Sequence, residues 1–279
     1  MEEELTIQAA GVDFHVRQQG DKPSAIFLHG FGDNLHTWDN LILALGQQFS
    51  TLRYDLRGFG QSSCQCASQS EQPFSHSDDL LAILDALGIE QCTLVGVSMG
   101  GGVALNFALN YPQRVAKLIL ISPALVAWEW STDWQALWQA LVAHARAGEM
   151  DKARTLWWQH PVFASTRASP AAAVLFESIM AYSGAQWVRD YQRHELPDIE
   201  RLFQLRAPTL LLSGGRDMED FHLIAEIIAA SVADLSRVNF PALGHLLHLE
   251  DPGCCASEML SFLTVNQSMK RLPLSEGGG

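Results

Sequence analysis

GVSMGGG, residues 96–102, follows the apolar run CTLV and precedes the helix-like run VALNFALNYP, and no charged residue stands between Gln91 and Gln113. Three readings compete for such a stretch: part of a membrane span, a glycine-rich phosphate cradle, or a turn that exposes one serine. About 20 apolar residues cross a bilayer, but four glycines, Ser98, Asn106 and Asn110 interrupt this run and Pro112 closes it. Strand, tight turn and buried helix fit it better than one continuous helix. The phosphate reading lacks the Gly-Lys-Ser/Thr ending that grips a nucleotide. The serine reading has its full setting: GVSMG fits G-x-S-x-G, with an apolar strand before it and a helical pattern after it, as a nucleophile elbow requires. Gly96 and Gly100 would keep side chains clear of neighbouring backbone in so sharp a turn. Gly101 and Gly102 are expected to let the following helix approach the sheet.

Outward from this turn, short apolar runs alternate with helical patterns. SAIFLHG (24–30), STLRYDL (50–56), CTLVGVS (92–98), KLILIS (117–122), PTLLLSG (208–214) and SRVNFP (236–241) read as strands. HTWDNLILALG, SDDLLAILDALG and VALNFALNYP carry apolar residues at helical spacing, the first two ending at Gly46 and Gly88. This alternation predicts a mainly parallel sheet with helices on both faces. An antiparallel hairpin, LTIQAAGVDFHVRQQ, opens it and turns near Gly11. The rhythm stops between about Pro123 and Arg206, where helical sequence dominates and seven of the eight tryptophans fall. Trp130, Trp134 and Trp138 repeat at four-residue spacing on one helical face. That stripe either docks a helical insert onto the main body or also walls a pocket for an apolar substrate, since ligand sites form at such interfaces.

The bulk numbers narrow the classes. With 279 residues, 48% of them hydrophobic, the chain can fill a sizeable core. A formal charge of -13 argues against a nucleic-acid partner, which needs clustered positive charge. MEEELTIQAAG offers no basic-then-apolar leader, and the five cysteines form neither a paired disulfide set nor two CxxC clusters, so reduced thiols in the cytoplasm are expected. A metal site from Cys64, Cys66 and His76 lacks a second ligand pair and is not favoured.

A serine hydroxyl becomes a competent nucleophile only when a base takes its proton, so a histidine oriented by a carboxylate is expected downstream. Asp217 follows the strand PTLLLSGG, and His245 lies in FPALGHLLHLEDP after the next strand. Asp220 and His248 stand close enough to compete for the same roles.

HGFG (29–32), YDLRGFGQS (54–62), GVSMGG (96–101), GGRD (214–217) and GHLLHLEDP (244–252) occur in one order. In these motifs the chain resembles the α/β-hydrolase superfamily across nearly its whole length. The resemblance implies an α/β fold: a mainly parallel eight-stranded sheet flanked by helices, with a helical cap inserted after the sixth strand. The expected division is a core of 1–123 and 207–266, a cap of 124–206 and a tail of 267–279. The resemblance makes Ser98 the nucleophile, His245 the base and Asp217 the orienting acid, in preference to His248 and Asp220. It assigns the oxyanion hole to the backbone N–H groups of Phe31 and Met99, and leaves His29 a loop-ordering role. Relatives that take their acid after the sixth strand have no counterpart here, where ISP leaves Ser122.

Ser98 sets aside the dehalogenases and epoxide hydrolases of this fold, which use an aspartate at the elbow. Gly102 stands where succinyl-hydroxycyclohexadiene carboxylate synthases carry an arginine. The pattern resembles small carboxylesterases and 3-oxoadipate enol-lactonases. It implies a serine hydrolase that cleaves a small, mainly apolar ester or lactone through an acyl-enzyme. Carbon–carbon bond hydrolysis of vinylogous diketones is the alternative, and a ligand receptor with little turnover the second. Arg146, Arg154, Arg167, Arg189 and Arg193 could hold a carboxylate substrate, although solvated positions are their expected fate. No metal or organic cofactor is implied.

Overall fold

The structure, a computed structural model, describes residues 2–62 and 73–264. The chain opens with β1 (Glu2–Ala9) and β2 (Val12–Gln19), paired antiparallel through a turn in which Ala10 and Gly11 both have positive φ, 48° and 73°. Two such residues give a hairpin turn whose twist matches that of the strands. Next come β3 (Ala25–Leu28), α1 (Asp39–Leu45), β4 (Thr51–Tyr54), α2 (His76–Ala86), β5 (Cys92–Val97), α3 (Met99–Asn110) and β6 (Val115–Ile121). Helices then dominate: α4 (Thr132–Arg146), α5 (Met150–Trp158), α6 (Ala164–Arg167), α7 (Ala172–Ala181) and α8 (Ala185–Val188). The alternation resumes with β7 (Thr209–Gly214), α9 (Glu219–Ser231), β8 (Leu235–Phe240), α10 (Leu247–Glu250) and α11 (Pro252–Thr264).

One eight-stranded sheet results, in the order β1-β2-β4-β3-β5-β6-β7-β8. Only β2 runs against its neighbours; from β4 to β8 every pairing is parallel. All residues of β3, β4, β5 and β7 are buried, as expected of parallel strands covered on both faces, whereas the edge strand β8 is partly exposed along its length. α3 is buried at ten successive residues from Gly100 to Leu109, because it crosses the middle of the sheet. The uncharged stretch 91–113 is therefore strand, turn and core helix. No helix among the described residues is long and apolar enough to cross a membrane.

α3 starts at Met99 rather than at the Val103 suggested by the apolar pattern, so the glycine run is helical. A Cβ on Gly100 would overlap the carbonyl oxygens of Leu28 and His29 at the end of β3. Gly100 thus permits the close approach of helix to sheet, the role expected of Gly101 and Gly102. Those two instead face residues 123–124: a Cβ on Gly101 would stand 2.9 Å from Pro123 Cβ, and one on Gly102 3.1 Å from the Ala124 carbonyl oxygen. They clear the path by which the chain leaves β6 for the helices that follow. Cys92, Cys254 and Cys255 are free thiols, while Cys64, Cys66 and the tail from 267 lie outside the described residues.

Candidate active site

The C-terminal ends of the parallel strands carry the site, where ligands bind in open α/β sheets. β5 ends directly in Ser98, which has φ 53° and ψ -121°. Positive φ is costly for a residue with a side chain, and it persists only where its surroundings impose it. Here Ser98 N–H donates to the Ile121 carbonyl of β6 at 3.0 Å, and the Ser98 carbonyl accepts from Gly102 N–H at 3.0 Å and Ala124 N–H at 2.9 Å. A Cβ on Gly96 would overlap the Gly100 carbonyl, so this strand-to-helix turn closes only over glycine. Ser98 is left half-buried at the first turn of α3.

The loop after β7 brings Asp217 beneath the ring of His245, which the loop after β8 supplies. His245 Nδ1 lies 2.9 Å from Asp217 Oδ2, and both side chains are 2% exposed. The other oxygen, Oδ1, accepts the Met218 N–H at 2.7 Å, which fixes the carboxyl plane. A carboxylate acceptor at Nδ1 favours the tautomer that leaves Nε2 basic. Phe221 of α9 covers the ring at 4.1 Å between centroids. The loops themselves are pinned to each other, with Gly215 N–H on Phe240 O and Arg216 N–H on Leu243 O, both at 2.9 Å.

The two competing residues are occupied elsewhere. Asp220 accepts from Trp128 Nε1–H at 3.0 Å, Ser131 N–H at 3.1 Å and the Ser131 hydroxyl at 2.6 Å, so it holds the entry to α4. His248 is fully buried against Trp38, with its Nε2 2.9 Å from Thr37 Oγ1. Burial, with a smaller contribution from His245, pushes its pKa down to about 3. His29 Nε2 accepts the Leu56 N–H at 3.0 Å, and its Nδ1–H reaches the Gly30 carbonyl at 2.8 Å. It thereby organises the loop after β3. That loop passes the serine closely, since a Cβ on Gly30 would lie 3.5 Å from Ser98 Cβ. Phe31 follows on this loop, and Met99 opens α3, where first-turn N–H groups have no intrahelical acceptor.

Ser98, His245, Phe31 and Met99 all border one cavity of about 340 Å³. Trp134 and Trp138 of α4 and Trp130, which stands just before that helix, belong to its wall, so the tryptophan stripe faces the site although its first member lies outside the helix. Trp130 and Trp134 stack at 4.3 Å between ring centroids, and Phe31 meets Trp138 edge-on at 5.0 Å. Among the described lining residues there is no lysine or arginine; the acid Asp33 and two glutamines, Gln135 and Gln139, are the other polar side chains.

The five arginines considered for a carboxylate substrate have other partners. Arg146, Arg154 and Arg167 donate to the carbonyls of Val188, Tyr182 and Trp158, Arg189 lies over Tyr191, and Arg193 pairs with Asp78 and Glu195. No group of three or more His, Cys, Asp or Glu side chains placed to hold a metal occurs among the described residues. Sequence reasoning missed Asp33 on the cavity wall, Asp220 as an anchor for α4, and Glu250, whose hydroxyl partners lie 84 and 85 residues away.

The family described as alpha/beta hydrolase fold matches residues 23–152. An uncharacterized protein of Mycobacterium tuberculosis (strain ATCC 25618 / H37Rv) is 43% identical over 107 residues, which are 38% of this chain and 30% of that protein. The chain therefore spans less than a third of that relative's length. The 3-oxoadipate enol-lactonase 2 of Acinetobacter baylyi is 26% identical over 254 residues, covering 89% of this chain and 91% of the lactonase. Among solved structures, a hydrolase from Pseudomonas aeruginosa PA01 superposes with a TM-score of 0.74 at 28% identity, covering 94% of this chain and 98% of that one.

Proposed function

Since this chain has the α/β-hydrolase fold, we propose that it is a serine hydrolase that cleaves small, mainly apolar carboxylic esters or lactones through an acyl-enzyme. The observation that carries the reading is the convergence on one cavity of a serine held at positive φ and a histidine whose far nitrogen is bonded to a buried aspartate. In this mechanism His245 Nε2 takes the Ser98 hydroxyl proton as Oγ attacks the carbonyl carbon. Asp217 stabilises the imidazolium, and the N–H groups of Phe31 and Met99 receive the oxyanion. The imidazolium then gives its proton to the leaving oxygen. Water, deprotonated by His245, releases the acid and restores Ser98.

The aromatic wall supports an apolar acyl group, because burying hydrocarbon there removes it from water. Asp33 brings negative rather than positive charge to the cavity, and the described lining has no cation to offset an anionic substrate. This favours neutral esters and lactones over acids such as the dienoates and diketone acids cleaved at carbon–carbon bonds. The likeness to an enol-lactonase over 89% of this chain supports including lactones, while the carboxylate that a lactone of 3-oxoadipate retains has no cation to meet it in the described lining. In this reading residues 124–206 form the cap, which sets acyl selectivity, over a core of 1–123 and 207–266.

The test is a panel of p-nitrophenyl esters and lactones assayed with wild type and Ser98→Ala. Steady turnover that falls to background in the variant supports the proposal. Equal activity of the two proteins sinks it, and a single turnover with retained product favours a receptor instead.

A further inference from the structure

The histidine loop is tied to the helical segment through one carboxylate. Glu250, the last residue of α10, accepts the Gly244 N–H on Oε2 at 2.8 Å and the Ser165 hydroxyl on the same oxygen at 2.7 Å. Its Oε1 accepts the Thr166 hydroxyl at 2.6 Å. Gly244 immediately precedes His245, and Ser165 and Thr166 lie in α6, between β6 and β7. Two parts of the chain that are distant in sequence therefore converge on one side chain.

The packing is as tight as the hydrogen bonding. Thr166 is fully buried. A Cβ on Gly244 would overlap Ser165 Cβ on one side, and a Cβ on Gly214 of β7 would overlap the Gly244 carbonyl on the other. The loop backbone is thus held between the sheet and α6. Val162 and Phe163, just before α6, belong to the cavity wall. α6 therefore adjoins the cavity wall at Val162 and Phe163 and touches the acceptor of the Gly244 N–H through Ser165 and Thr166.

We infer that Glu250 is a positioning residue that couples the seat of the helical cap to the placement of the base. Resting on the reading of His245 as that base, the inference is that the Glu250 carboxylate fixes the loop so that Nε2 meets the serine only when α6 is docked. Proton transfer tolerates little displacement, and misplacement of about 1 Å can cost on the order of 100-fold.

The experiment compares wild type, Glu250→Ala, Glu250→Gln, Ser165→Ala/Thr166→Val and the combination of that pair with Glu250→Ala. Each is assayed with p-nitrophenyl butyrate, with kcat expressed per active site titrated by a fluorophosphonate. Glu250→Ala is expected to lower kcat by about 10- to 100-fold with KM nearly unchanged. Glu250→Gln should recover most of that loss, since its amide oxygen can accept from Gly244 and Ser165 while its NH2 donates to Thr166. The Ser165/Thr166 pair should lower kcat similarly and add nothing in the Glu250→Ala background, because both act through one junction.

A merely structural role would lower the thermal midpoint or the titrated fraction and leave kcat per site unchanged. That result, or additive losses, overturns the inference. Should Glu250→Ala fail to fold, the Ser165→Ala/Thr166→Val pair supplies the test alone: a fall in kcat per titrated site supports the coupling, and an unchanged value overturns it. Wild-type turnover by Ser98→Ala would refute the site itself; an inactive Ser98→Ala beside an unaffected Glu250→Ala would refute only the coupling.

Discussion

Replacing each of two neighbouring aspartates should produce opposite defects. Asp217 makes its principal side-chain bond to His245, at 2.9 Å, so Asp217→Asn leaves packing intact but allows the amide to favour the wrong imidazole tautomer. Loss of the equivalent carboxylate in a Ser-His-Asp protease costs about 10⁴ in kcat, which corresponds to about 5 kcal/mol at the transition state. Asp220 instead accepts three hydrogen bonds from Trp128 and Ser131 and is 5% exposed. At about 1 kcal/mol for each bond, Asp220→Ala should destabilise the fold by about 3 kcal/mol. For a chain of this size, that loss lowers the thermal midpoint by about 6 to 12 °C. Turnover at 25 °C should stay within about tenfold of wild type, a step of 1.4 kcal/mol. Calorimetry and p-nitrophenyl butyrate kinetics on both variants read the two quantities. The reverse pattern, an inactive Asp220→Ala beside an active Asp217→Asn, would refute the assignment of the acid.

Chain length and pH give two more tests. Across p-nitrophenyl esters of increasing acyl length, kcat/KM should rise about fourfold per methylene, from about 0.8 kcal/mol of hydrophobic transfer each, until the cavity of about 340 Å³ is filled; a series that falls from the acetate onward would contradict an apolar acyl site. Burial holds His76 and His248 neutral down to about 3 and His160 down to about 4. The unfolded chain binds their protons below 6.5 and the folded chain does not, so stability is expected to fall as pH drops from 6.5 to 5. His15 is shifted the other way, raised chiefly by its hydrogen bond to Asp55, so its contribution is complete below 6.5 and is lost only on the alkaline side. His248→Gln should flatten the acid slope of the thermal midpoint, and an unchanged slope would exclude His248 as a source.

The parts of the fold and candidate site that could be read from sequence were those governed by local chemistry. The elbow is local: a buried strand, a serine between two glycines and a helix lie within 20 residues of each other, and the structure forms this turn with Ser98 at φ 53°. The hairpin and the strand alternation were legible for the same reason. The start of α3 was not, because glycine disfavours a helix in isolation, and only the approach to the β3 carbonyls shows why Gly100 is there. The four-residue spacing of Trp130, Trp134 and Trp138 predicts one helix face, but α4 begins at Thr132, so only Trp134 and Trp138 lie on it, and the spacing does not say what they face. Asp220 and Glu250 were invisible as junctions because their hydroxyl partners lie more than 80 residues away, a separation at which no spacing rule operates. Choosing Asp217 over Asp220 depended on the GGRD pattern, and the structure brings only Asp217 to His245.

The central claim is a covalent acyl group on Ser98. Wild-type protein, acid-quenched during turnover of a p-nitrophenyl ester and digested, should yield the peptide spanning GVSMGGG with the added mass of the acyl group on Ser98, and Ser98→Ala should yield none. An acyl adduct on another residue, or full turnover by Ser98→Ala, would contradict it.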